Sequence, residues 1–241
     1  MWLCRPPNPQ VIHPWHIVGI VALTGYANVV ANRVLDSLWN IPFNLAILGV
    51  AVAIARHAGV TWVDMGLWRK RLGRGFFVGG IVMAVIAAGI AIGVTIPATR
   101  EFFYDDRVVD SSTALVLFNA LLRIPIATAF YEEMLFRGVL FGMFARKWAP
   151  LWAALASSAL FGLWHILPTI DTLDTNPAGD AFNGLIGAAI AAVVAVAGTA
   201  IVGVGFLWLR LRANSTVAPI LVHIATNSFA LLAALLVVRV L

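Results

Sequence analysis

Glu132, Glu133 and Arg137 stand in the stretch AFYEEMLFRGVLFGMF (129–144), whose other residues suit the interior of a lipid bilayer. Further along, FGLWH carries His165, and HIATN carries His223 and Asn227, in equally apolar surroundings. Ionisable groups inside a membrane span are costly unless they meet partners or water, so they mark a functional site by default. Glu133 and Arg137 are i and i+4 with the acid N-terminal, the favoured order for an ion pair along one helix face. Glu132 then points about 100° away, which leaves one carboxylate neutralised and a second free to act as a base or a ligand.

His223 and Asn227 share a face by the same spacing, and Phe161 precedes His165 by one turn, where its ring can wedge the imidazole. A free carboxylate with two imidazoles and a carboxamide suits amide-bond hydrolysis. Glu132, helped by His165, takes a proton from water, while His223 and Asn227 donate hydrogen bonds to the tetrahedral oxyanion. Glu132 with His165 and His223 is also a ligand set for a divalent metal such as zinc. No HExxH is present, so the compact zinc signature is missing; the cofactor is unknown at this level, and a metal mechanism and a metal-independent glutamate mechanism both stay open.

The elements that must carry these groups are transmembrane. Of 241 residues, 61% are apolar and only 11% charged, and the mean hydropathy is +0.94. This is the composition of an all-α, polytopic transmembrane helical bundle. Runs near 16–31, 38–55, 76–98, 113–145, 149–168, 182–209 and 216–238 predict about seven helices. The first two are the weakest, joined by the brief NRVLDSL, so a re-entrant hairpin is the alternative there. With no internal repeat and no second domain, residues 1–241 read as a single integral membrane domain with its catalytic core at 112–232. At ~1.5 Å per residue from the inner helix ends, Glu132 and His165 come out roughly 20 to 24 Å deep and His223 only about 12 Å, a mismatch in depth.

The net charge of +5 does not imply nucleic acid, because the basic residues sit in short clusters at the ends of apolar runs. With the N-terminus cytoplasmic, inner segments carry Arg5, Arg56, Arg69, Lys70, Arg71, Arg74, Arg146, Lys147, Arg210 and Arg212, against Arg33, Arg100, Arg107 and Arg239 outside, as the positive-inside rule requires. Trp68, Trp148 and Trp208 adjoin these clusters as an interfacial belt. The segment GVTWVDMGLWRKRLGRG (59–75), with Val60, Val63 and Leu67 at helical spacing, predicts a helix lying along the inner surface. DTLDTNPAGD (171–180) is a solvated outer loop. Gly184 with Ala188 and Gly187 with Ala191 offer small-residue packing. Arg123, near Pro125, reads as structural, His13, His16 and His57 as interfacial, and Cys4 as an incidental thiol.

In the three motifs EEMLFR (Glu132 to Arg137), FGLWH (Phe161 to His165) and HIATN (His223 to Asn227), the chain resembles the type II CAAX prenyl endopeptidases of the wider CAAX-protease and bacteriocin-processing family. That family carries EExxxR, FxxxH and HxxxN in this order on separate helices. The resemblance spans about 112–232 and implies an intramembrane glutamate protease. Glu132 and His165 would act on the attacking water, His223 and Asn227 around the oxyanion, and Glu133 and Arg137 in support. It implies the lipid bilayer and a peptide or protein substrate as partners, prenylated in eukaryotic members and not in many bacterial ones, and a bacterial cytoplasmic membrane as location. Two other functions compete: a transporter or proton relay, whose usual paired broken helices are absent, and a non-catalytic membrane protein that binds partners.

Overall fold

A backbone crossing lipid must satisfy its own hydrogen bonds, and this chain does so with helices throughout. The computed structural model describes residues 12–173 and 184–241. Among them are seven helical spans long and apolar enough to cross a membrane: α1 (Pro14–Arg33), α2 (Asn40–His57), α3 (Arg69–Thr95), α4 (Thr113–Lys147), α5 (Pro150–Trp164, its span carried on to Ile170 past a break at His165), α6 (Gly184–Ala213) and α7 (Val217–Arg239). No strand occurs among the described residues. Cys4 and most of the acidic stretch 171–180 lie outside them. With 20 and 18 residues, α1 and α2 each reach roughly the 30 Å of a hydrocarbon core, which favours two full spans over a re-entrant hairpin.

The centre of the bundle is α4, in which every residue from Tyr131 to Phe144 is buried. It is not a regular α-helix. Asn119–Phe130 and Met134–Leu140 are π-helical, separated by a short α segment, Tyr131–Glu133. Pro125 sits inside the first wide stretch, where its missing N–H and bulky ring disfavour the tighter register. Such π segments recur at functional sites because they re-aim side chains within a helix. Around α4 pack α2, α5, α6 and α7, with α3 lying against α7 and α1 against α2. One hydrophobic cluster, from Ile12 to Val222, joins them.

One expectation is corrected. The segment after α2 is not a surface helix but a turn-rich loop folded into the bundle: Val60 and Met65 are fully buried, while Val63 is exposed. Polar anchors override its helical spacing. Thr61 and Asp64 bond each other, Arg146 reaches Asp64 Oδ2 (3.2 Å) and the Gly59 carbonyl (2.6 Å), Thr216 Oγ1 donates to the Met65 carbonyl (2.6 Å), and Arg210 donates to the Asp64 carbonyl. α6 also comes close to α5: a Cβ on Gly162 would stand 2.5 Å from the Val196 carbonyl oxygen.

The same loop removes the mismatch in depth. Met65 bonds Thr216 at the start of α7 and lies beside Gly138 of α4, so α7 begins level with Gly138 rather than with the inner end of α4. From that common level, six residues back to Glu132 and seven on to His223 rise roughly 9 and 10 Å, and the two side chains meet.

Candidate active site

Glu132, Glu133, Arg137 and His223 are buried, and His165 is partly open, with 22% of its side chain exposed. Glu133 and Arg137 form the ion pair expected of their spacing, Nη1 to Oε1 at 2.9 Å. The same Oε1 lies 2.9 Å from Nδ1 of His223, so one carboxylate oxygen ties α4 to α7. The Arg137 guanidinium lies over the Phe161 ring at 3.9 Å and near that of Phe206 at 5.2 Å, a cation–π arrangement that compensates part of its desolvation. Gly203 of α6 makes room: a Cβ there would be 3.1 Å from Nη2 of Arg137 and 3.2 Å from the Phe161 ring.

Glu132 is held differently. Its Oε1 accepts a hydrogen bond from Nε1 of Trp164 at 3.0 Å. Its Oε2 is buried without a partner and faces Nε2 of His165 at 4.0 Å and Nε2 of His223 at 3.9 Å. The histidines are oriented from behind. Nδ1 of His165 is 2.7 Å from the Phe161 carbonyl oxygen, which can only accept, so that nitrogen donates. Nδ1 of His223 does the same to Glu133. Both rings therefore turn Nε2 toward the free carboxylate oxygen, and edge-on contact with Phe161 at 4.4 Å wedges His165.

Five of the six sequence-assigned residues thus come together. Asn227 lies one turn beyond His223 on α7, partly buried, its side chain making no hydrogen bond to another described residue. Arg123 donates to Asn119 on its own helix at 2.7 Å, and His13, His16 and His57 cluster at the paired ends of α1 and α2. Sequence reasoning missed Trp164, Gly203 and Tyr131, whose fully buried hydroxyl has no partner. Trp164 lies inside the FGLWH motif, but a tryptophan in an apolar run reads first as packing. Among the described residues, no group of three or more His, Cys, Asp or Glu is placed to hold a metal ion.

Such an arrangement has the parts for hydrolysis: an unpaired carboxylate oxygen, two ring nitrogens aimed at it, and a carboxamide a turn away. Residues 113–229 match the family model of Rce1-like, type II CAAX prenyl endopeptidases. That segment runs from the start of α4 into α7 and contains all six residues. No curated protein and no solved structure matches the chain.

Proposed function

We propose that the chain is an intramembrane protease like the Rce1-like, type II CAAX prenyl endopeptidases whose family model its segment 113–229 matches, and that it hydrolyses peptide bonds with a water activated by Glu132. The reading rests on one observation: a buried, unpartnered Glu132 Oε2 between two imidazole Nε2 atoms at 3.9 and 4.0 Å. A water bridging atoms that far apart keeps ordinary hydrogen-bond lengths of about 2.8 Å to each. Glu132 Oε2 takes a proton from that water as its oxygen attacks the scissile carbonyl carbon, with His165 holding the water in line. The carbonyl π electrons move onto oxygen. His223, its Nδ1 proton committed to Glu133, donates to that oxyanion through Nε2 in the form protonated on both ring nitrogens, and the Asn227 amide is the second donor. Collapse expels the amine, which takes the proton back from Glu132. Glu133 and Arg137 hold the His223 ring.

The substrate is a peptide or protein presented at the membrane, a lipidated C-terminal tail being the finer form that the family suggests. The ends of α2, α4 and α6 and the start of α3 carry Arg56, Arg69, Lys70, Arg71, Arg74, Arg146, Lys147, Arg210 and Arg212 on one side, which supports a cytoplasmic N-terminus. The family favours hydrolysis over transport or passive partner binding. Purified protein in nanodiscs, given matched peptides with and without a farnesyl group, is the test. Glu132→Ala should abolish cleavage while the protein stays folded and inserted; unchanged cleavage by that variant removes this reading.

A further inference from the structure

The hairpin of α1 and α2 lies outside the segment matched to the family, yet it reaches both helices that carry the proposed base and its partner histidine. On α1, Asn28 donates from Nδ2 to the Trp164 carbonyl at 2.6 Å. On α2, Asn44 donates from Nδ2 to the Ala127 carbonyl at 2.8 Å. Both asparagines are buried. Asparagine in a membrane helix often acts as plain glue between helices, but these two amides land on the irregular points flanking the site.

Trp164 is the last residue of α5, and its carbonyl is one of those a helix end leaves without an intrahelical partner. The helix breaks at His165 (φ −84°, ψ 0°) before resuming at Ile166. Asn28 therefore caps α5 at the break that aims His165. Its amide cannot flip, because Oδ1 of Asn28 accepts from Nδ2 of Asn32 at 2.9 Å. The indole of the capped residue is what holds Glu132 Oε1, at 3.0 Å. Ala127 stands in the π-helical stretch, five residues before Glu132, the spacing of a π-helical hydrogen bond. Asn44 thus pins the backbone that leads into the base.

We propose that the α1–α2 hairpin is a positioning device for catalysis, Asn28 acting through Trp164 and His165 and Asn44 through the π-helical approach to Glu132. The proposal rests on the hydrolytic reading above for its kinetic arm only. Asn28→Asp keeps the shape and removes the donor; Asn44→Asp does the same on α2. The first readout is the indole N–H resonance of Trp164 in protein labelled with nitrogen-15 tryptophan in nanodiscs, assigned by its loss in Trp164→Phe. Asn28→Asp should move that resonance and leave those of Trp62, Trp148 and Trp208 in place.

The second readout is turnover of a fluorogenic peptide that the wild type cuts. Each variant should lower kcat roughly 10- to 100-fold, the cost of a misplaced catalytic group, with KM unchanged, and Asn28→Asp with Trp164→Phe should cost less than the two effects summed. An unmoved Trp164 resonance in Asn28→Asp, or an unchanged kcat, overturns the proposal. If Asn28→Asp does not fold, Asn32→Leu frees the Asn28 amide without touching Trp164 and is judged by the same two readouts. A wild type that cuts no peptide counts against the hydrolytic reading, and the indole resonance then decides the positioning question alone.

Discussion

Glu132 and Glu133 are neighbours with opposite surroundings, and that difference assigns their tasks. Glu133 spends one oxygen on both Arg137 and His223, whereas Glu132 keeps one oxygen free. Removing one member of a buried ion pair leaves the other uncompensated, so Glu133→Leu alone should destabilise the protein by about 3–5 kcal/mol, seen as a lower Tm in detergent. Glu133→Leu with Arg137→Leu should recover much of that Tm, since a matched apolar pair often replaces a buried salt bridge at little cost. Cleavage should stay lost in the double variant, because Nδ1 of His223 no longer has its acceptor; recovery of activity along with Tm would reduce the pair to helix glue. Asn227→Ala should slow turnover by roughly 10² to 10³ if it is an oxyanion donor, measured as kcat on a cleaved peptide. At this scale the sequence was most readable where spacing alone decides contact, as with Glu133 and Arg137. Trp164 was hidden because its indole N–H finds Glu132 only when α5 and α4 are packed together.

For the helices, length and apolarity carry most of the information, and the seven spans follow from them. What those properties do not encode is where an irregular segment sits in depth. The loop after α2 has helical spacing at Val60, Val63 and Leu67, but Asp64, Arg146, Arg210 and Thr216 fold it inward, and so the start of α7 meets the middle of α4. The π-helical stretches of α4 were equally hidden, although Pro125 marks the first of them. The closeness of α6 to α5 has a direct test. Gly203→Ala places a methyl 3.1 to 3.2 Å from Arg137, Phe161 and Ser158, tighter than an ordinary contact, and overpacking of this kind costs about 1–3 kcal/mol. Both Tm and turnover should fall, because the displaced group is the guanidinium that holds Glu133. An unaltered Tm would mean that α6 gives way without cost.

On the proposed orientation, seven crossings would put Leu241 on the far side of the membrane. Alkaline phosphatase fused after Leu241 should therefore be active in a bacterial host, and fused after Arg71, inactive; the reverse pattern would invert the proposed orientation. The larger of its hydrophobic clusters, from Ile12 to Val222, extends beyond the segment matched to the family. Composition alone made the membrane class plain. The dependence of the site on α1 and α2 was not visible, because Asn28 and Asn44 carry no motif and acquire meaning only from the carbonyls they reach.

Access to the free oxygen of Glu132 has a consequence for whatever is cut. Of the two imidazoles that face it, His223 is covered and His165 is partly open, at 22%, so the approach to it runs past His165. A residue within an intact transmembrane helix keeps its carbonyl bonded four positions along and does not readily offer that carbon to a water held beside buried groups. Bonds in frayed ends and unstructured tails at the membrane edge are the ones within reach, and winding a scissile segment into stable helix should shield it from hydrolysis.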